Sequence, residues 1–120
     1  MIKVLFFIKN NRIIGYKISG HSEFYKKRNI IKKILKIDEK DYICSAVSAV
    51  SYMNVIAFKD VLKKGFVYKE EKKGKVEFFL KDKPDKDSDI ILKSFKRTLE
   101  YINKEYPDNI EILMEDKNGS

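Results

Sequence analysis

The longest patterned segment of the chain, residues 41 to 64, is the feature that most limits the possible folds. Its inward positions recur at steps of three and four residues: Ile43, Val47, Val50, Asn54, Ala57 and Val61. This spacing predicts an amphipathic helix over Asp41–Lys64 with one buried side. Asp41 is a favourable N-cap, and Gly65 is a natural residue to end the helix. The buried side requires a sheet or a second helix to cover it.

Alternating patterns on both sides of this helix predict two β-hairpins. Strands over Met1–Lys9 and Arg12–Ser19 flank Asn10-Asn11. Asparagine tolerates the positive φ angles that a two-residue turn requires. After the helix, Phe66–Glu70 and Lys75–Leu80 repeat the alternation. Each pair therefore predicts two antiparallel strands.

A second helix and a last strand complete the predicted order. Ser88 is a fair N-cap for a helix over Asp89–Tyr106, and Pro107 would stop it. The inward positions predicted for this helix are Ile91, Phe95, Leu99, Ile102 and Tyr106. Alternation at Ile110, Ile112 and Met114 predicts the strand. The order ββαββαβ predicts an α+β fold over residues 1–120 as one domain, a mostly antiparallel sheet covered by two amphipathic helices.

Positive charge is concentrated before the first helix. The chain has 26 lysines and arginines against 18 acidic residues, a net charge of +8. Tyr25–Lys40 holds seven of the basic residues and two of the acidic ones. We interpret residues 23 to 40 as a basic insertion, either a flap over the site or a solvated segment packed on the body. Lysine is poorly suited to the bidentate hydrogen bonds that recognise a base or a phosphate. The positive charge therefore favours association with anionic surroundings over sequence-specific recognition.

The cysteine and histidine content limits compartment and cofactors. A single cysteine, Cys44, makes no disulfide within the chain, which favours a reducing cytosol. One cysteine and one histidine are too few for the usual zinc ligand sets, so we expect no metal and no other cofactor. The apolar start is too short for a signal peptide, and no uninterrupted apolar run reaches the length of a membrane span. We therefore expect a cytoplasmic protein with no membrane contact.

His21 and Cys44 are the candidates for a base and a nucleophile. His21 follows Gly20 at the end of the second predicted strand, and Cys44 opens the first helix. With Asp41 as N-cap, the thiol lies in the first helical turn, where unpaired N–H groups favour a thiolate and face an oxyanion. His21 would take the thiol proton and return it to the leaving amine. Asp41 would either cap the helix or orient the imidazole.

The same residues also have structural interpretations that involve no catalysis. A lone cysteine in an apolar helix is most often a small buried side chain, and a histidine after glycine is most often a loop residue. Ser48 and Ser51 lie within the helix, where packing is the commoner role. A redox-sensing thiol would lack a second cysteine within the chain to resolve it.

The residues Gly20-His21 and Asp41-x-x-Cys44, followed by Ser45-Ala46-Val47-Ser48-Ala49, resemble the ribosomal-processing cysteine protease family Prp. The resemblance covers nearly the whole chain. It implies that His21 and Cys44 are catalytic and that Asp41 supports them. We expect Gly20, Ser45 and Ser48 to contact the substrate. The connection from His21 to Cys44 is longer and more basic than is typical of the family.

The resemblance also implies a substrate and an assembly. It implies a bacterial endopeptidase that removes the N-terminal extension of the large-subunit ribosomal protein L twenty-seven, cleaving after phenylalanine. Family members are homodimers, with a flap between the histidine and the cysteine. The basic residues of the insertion would then contact ribosomal RNA. The alternative is a ribosome- or RNA-binding module without chemistry that uses Tyr25–Lys40.

Overall fold

The computed structural model describes residues 1–20, 39–71 and 74–117. Within these residues, two helices and one five-stranded sheet form the α+β fold that the sequence predicts. The strands are β1 (Ile2–Lys9), β2 (Arg12–Ser19), β3 (Phe66–Glu71), β4 (Lys75–Leu80) and β5 (Ile110–Asp116). The helices are α1 (Glu39–Ile56), which continues as a π-helical turn over Ala57–Val61, and α2 (Lys86–Glu105).

The strands are arranged in the order β3-β4-β2-β1-β5. The pairs β1–β2, β2–β4 and β3–β4 are antiparallel. The last strand, β5, runs parallel to β1, with Ile2 opposite Ile110 and Ile8 opposite Asp116. The first strand of the chain is therefore held between β2 and the last strand.

The first hairpin has the turn that its sequence predicts. Asn10 and Asn11 have φ angles of 53° and 64°. Positive φ at both central residues is the requirement of a two-residue type I′ turn, whose twist matches that of the strands. The register shifts between Phe7 and Ile8, which marks a bulge near this turn. Beyond the bulge the pairing continues to Ser19, opposite Lys3.

Helix α1 differs from the prediction at both ends. It begins at Glu39, so Asp41 is its third residue and not the N-cap. Glu39 and Lys40 are good helix formers, and they extend the helix upstream of the predicted start. At the other end Lys63, with φ of 53°, adopts the left-handed conformation that the sequence assigns to Gly65.

Helix α2 begins three residues before its predicted start. Asp85 is the N-cap: its carboxylate accepts a hydrogen bond from the Ser88 N–H at 2.8 Å. The Asp85 N–H donates in return to Ser88 Oγ at 2.9 Å. Ser88 is thus the third helical residue of a capping box and not the cap itself. Asp85 also forms an ion pair with Lys64, which ties the start of α2 to the segment after α1.

One core fills the space between the helices and one face of the sheet. The sheet contributes Ile2, Val4, Phe6, Tyr16, Ile18, Val76, Phe78 and Ile110. Helix α1 contributes Ile43, Cys44, Val47 and, through its π-helical turn, Phe58, while α2 contributes Leu92, Phe95 and Leu99. Two predicted inward residues are wrong: Val61 and Tyr106 are exposed because they lie at helix ends, where the chain leaves the core.

Among the described residues, one helical stretch, Tyr42–Val61, is long and apolar enough to cross a membrane. The sequence-based expectation that no such stretch exists is therefore wrong by this measure. Core helices of soluble proteins meet the same criterion. Here Val47, Asn54 and Phe58 on the inner side are completely buried against the sheet.

Candidate active site

Cys44 lies on the inner side of α1 as its sixth residue. It is 7% exposed and belongs to the core between Ile43 and Val47. The unpaired N–H groups of a helix belong to its first four residues, and α1 is already helical at Glu39. Cys44 therefore lies beyond the first turn, and its predicted position within the first turn is wrong. The effect of the helix dipole also weakens beyond the first turn, so this thiol depends more on a neighbouring base.

Gly20 marks the point where the chain leaves β2. Its φ is +88°, a conformation that side-chain-bearing residues rarely adopt. A Cβ at this position would lie 2.4 Å from the carbonyl oxygen of Met1. Backbone packing therefore requires glycine here, whether or not Gly20 also contacts a substrate. His21 itself, and the predicted insertion through residue 38, lie outside the described residues; residues 39 and 40 are helical.

The other predicted site residues lie on α1. Asp41 is described only as the third residue of the helix, and its side chain lies outside the described part. Ser48 follows Cys44 by one turn, so the two side chains share a helical face, and Ser48 is half-buried. Ser45 is exposed on the outer side of the helix. The structure therefore brings Cys44 and Ser48 together and leaves Ser45 on a different face.

A buried polar cluster connects this helix to the strand that precedes Gly20. The hydroxyls of Tyr16 on β2 and Ser51 on α1 are 2.8 Å apart. Asn54 Nδ2 donates to the Tyr16 hydroxyl at 3.1 Å. From the sequence, Asn54 is predicted on the buried side of α1, with no role of its own. A polar residue at a buried helix position, opposite a strand with an inward tyrosine, is a signal of a buried hydrogen bond.

Burial controls the chemistry of Tyr16. Loss of solvation raises the pKa of its hydroxyl to about 12, although the hydrogen bonds with Asn54 and Ser51 lower the pKa in part. The hydroxyl therefore stays protonated at neutral pH. Tyr16 is a neutral hydrogen-bonding group of the core and not an acid or base of the reaction.

A hollow of about 660 Å³ lies beside the Asn10-Asn11 turn, at the opposite end of the first hairpin from Gly20 and not at Cys44. Basic side chains dominate its polar lining, with Lys9, Arg12, Lys81 and Lys83 against Asp82. Its charge suits an anionic ligand and not the chemistry of a thiol.

Comparisons with known proteins agree on one family and one fold. The family model described as cysteine protease Prp matches residues 1–111. A Streptococcus mutans protein of known structure has a TM-score of 0.77 at 15% identity, covering 98% of this chain and 99% of that one. The ribosomal processing protease Prp of S. aureus, solved with a substrate peptide, has a TM-score of 0.76 at 18% identity, covering 96% and 100%. The same protease with a covalently linked product peptide has a TM-score of 0.75 at 19% identity, also covering 96% and 100%. A search of curated proteins by sequence gave no significant match.

Proposed function

The chain belongs to the Prp family of cysteine proteases, and from this membership we propose that it is an endopeptidase with Cys44 as nucleophile and His21 as base. The observation that carries the proposal is the family match over residues 1–111 in a chain with one cysteine and one histidine. The family's nucleophile and base therefore have one candidate each. In this proposal Asp41 orients the imidazole.

The proposed reaction is acyl transfer through the sulfur. His21 removes the proton from Cys44, and the thiolate attacks the scissile carbonyl to form a tetrahedral intermediate. His21 then gives its proton to the leaving amine as the C–N bond breaks. A water molecule hydrolyses the resulting thioester and frees the enzyme.

We propose that the substrate is ribosomal protein L twenty-seven with an N-terminal extension, cut after phenylalanine in the cytoplasm. Two structures of the S. aureus protease, with a substrate peptide and with a product peptide, support a peptide ligand for this fold. Gly20, Ser45 and Ser48 are the proposed contacts. Ser48 is the best placed of the three because it lies one turn beyond Cys44 on the same face.

The decisive experiment incubates the protein with a peptide that spans the extended N-terminus of the host's own ribosomal protein. Mass spectrometry identifies the cut. We expect cleavage by the parent and none by Cys44→Ala or His21→Ala, each with an unchanged thermal midpoint. Tyr101→Phe, an exposed change on α2, is the matched control and should retain activity. Cleavage that persists in Cys44→Ala would overturn the proposal.

We also propose that two copies associate through the outer side of α1. No charged residue occurs from Tyr42 to Phe58, although 37% of the chain is charged. The exposed residues Tyr42, Ser45, Ala49 and Tyr52 recur at steps of three and four, as in a helix that packs on a second helix. A surface without charge allows two molecules of net charge +8 to approach without placing like charges in contact.

A second candidate function is RNA binding without chemistry. The sequence assigned it to Tyr25–Lys40, and the basic hollow beside the Asn10-Asn11 turn favours it independently. In the protease proposal the same charges would hold the enzyme on ribosomal RNA. Both proposals predict RNA binding that weakens steeply with salt, so cleavage of the free peptide is the measurement that separates them. RNA binding with no Cys44-dependent cleavage would favour the second function.

A further inference from the structure

The two proposed reacting residues belong to elements that are distant in sequence. Strand β2 ends one residue before Gly20, next to His21, while Cys44 lies on α1. A shift of α1 against β2 would change the distance between sulfur and imidazole directly. Side-chain hydrogen bonds join the two elements at Tyr16, which bonds with Ser51 and with Asn54.

Two hydrogen bonds meet at the Tyr16 hydroxyl. Asn54 Nδ2 donates to its oxygen at 3.1 Å. The hydroxyls of Tyr16 and Ser51 share the second bond, at 2.8 Å, in which either oxygen can be the donor. Each bond fixes both distance and orientation.

The surroundings hold the Tyr16 ring in place. Ring centroids of Phe95, Phe78 and Phe6 lie 4.6, 5.2 and 6.0 Å from that of Tyr16. Tyr16 and Asn54 are 0% exposed and Ser51 is 3% exposed. Hydrogen bonds shielded from water are strong and costly to break. The cluster is thus a rigid connection between strand and helix.

The connection lies at similar distances from both proposed reacting residues. Ser51 is seven residues after Cys44, two helical turns, which is about 10 Å along the axis. Tyr16 is four residues before Gly20, about 13 Å along the strand. A small tilt of α1 against β2 at this connection would therefore displace Cys44 and the end of β2 by similar amounts.

One feature of the cluster costs stability. Asn54 Oδ1 is buried and has no hydrogen-bond partner within the described residues. An unsatisfied buried acceptor is unfavourable, and an apolar side chain at this position would avoid the cost. A cluster retained for stability alone would not be expected to contain it. This mismatch favours a role in function.

We propose that Tyr16, Ser51 and Asn54 are positioning residues that fix α1 against β2 and so hold Cys44 and His21 at reacting distance. This inference rests on the proposed function, because it assigns the three residues to that reaction. They do not touch the substrate. They act through the two elements that carry the reacting groups.

The test compares Tyr16→Phe with Tyr101→Phe. Tyr16→Phe removes the hydroxyl and keeps the ring, whereas Tyr101→Phe makes the same change at an exposed residue of α2. We expect Tyr16→Phe to lower kcat about 10- to 100-fold with KM within about twofold, because small misplacements of reacting groups are costly. Tyr101→Phe should match the parent. Parental kcat in Tyr16→Phe would overturn the inference.

A second readout does not use the peptide. Cys44 is the one thiol, so its alkylation by iodoacetamide reports on it alone. We expect the pH midpoint of alkylation to move upward in Tyr16→Phe as the imidazole moves away. A merely structural role would lower the thermal midpoint and leave the pH midpoint in place. That result, at a temperature where the variant is folded, would overturn the inference.

The triple variant Tyr16→Phe/Ser51→Ala/Asn54→Leu separates stability from positioning. Replacing the whole cluster by apolar groups should restore the thermal midpoint that Tyr16→Phe alone loses. We expect kcat to stay low. Recovery of both would overturn the inference. Absence of Cys44-dependent cleavage in the parent would instead overturn the proposed function and this inference together.

Discussion

The α-carbon of Gly20 packs directly against the carbonyl oxygen of Met1, and a Cβ there would approach that oxygen to 2.4 Å. This contact lies where β2 ends and one residue before the proposed base, His21. The start of the chain therefore contacts the backbone at the end of the first hairpin. The glycine is required by packing and by its φ of +88°.

Gly20→Ala should destabilise the protein by about 2–3 kcal/mol, since a left-handed alanine costs about 1 kcal/mol and the contact with Met1 adds to it. The rate of peptide cleavage should fall by more than the loss of folded protein explains, because a backbone shift at Gly20 would also move His21. Gly65→Ala is the control: its nearest contact is the flexible side chain of Lys81 at 3.3 Å. Denaturant unfolding and peptide cleavage measure both. Equal losses in the two variants would contradict the role given to Gly20.

The buried Tyr16 should make stability depend on alkaline pH. Its pKa is raised from 10.0 to about 12, so the folded state binds this proton more tightly than the unfolded state. The contribution is full below pH 10 and is lost as the pH rises through 12, a total of about 3 kcal/mol. Tyr16→Phe should show a smaller alkaline loss. In absorbance titration, the last tyrosine to ionise should disappear in this variant; its persistence would contradict the assignment.

The capping box at the start of α2 should contribute about 1 kcal/mol. Asp85→Ala removes the acceptor for Ser88 N–H and the ion pair with Lys64. Asp85→Asn keeps an acceptor and loses the ion pair, so it should recover most of the stability. Asp87→Ala, an exposed change in the same helical turn, is the control. A denaturation midpoint in Asp85→Ala equal to that of Asp87→Ala would rule out a structural role for the cap.

A charge on the outer side of α1 should separate the proposed dimer. Ala49→Glu or Tyr52→Glu would place like charges across a two-fold contact, raising the dissociation constant about 100-fold or more. Ile90→Glu introduces the same charge at an exposed apolar residue of α2 and is the control. Light scattering after size exclusion gives the mass. An unchanged mass in both α1 variants would exclude this face as the interface.

Local patterns predicted the elements better than their ends. The strand bounds Arg12–Ser19 and Lys75–Leu80 are confirmed, because alternation and turn residues define them within a few positions. Helix starts were less predictable, because several candidate caps compete. The N-cap of α2 is Asp85, and the predicted cap, Ser88, instead bonds back to Asp85 as the third helical residue. The helix that carries Cys44 is already helical at Glu39, ahead of Asp41, the predicted N-cap. Glu39 and Lys40 are both good helix formers.

The sequence names candidate residues for the site but not the contacts that support them. The family resemblance named Cys44 and His21 from a short motif. The Tyr16–Ser51 contact joins residues 35 positions apart in the sequence, on elements whose relative orientation depends on the packed core. No local pattern encodes such a pairing. The same limit applies to the contact of Gly20 with Met1, which depends on the register of β1 and β2.

The parallel pairing of β1 with β5 has a consequence for biosynthesis. Until β5 is made, β1 is the edge strand of the sheet, paired with β2 on one side and open on the other. Contacts so far apart in sequence form slowly, and an open edge strand invites association with other chains. The edge that β5 covers is therefore exposed until translation has passed Asp116.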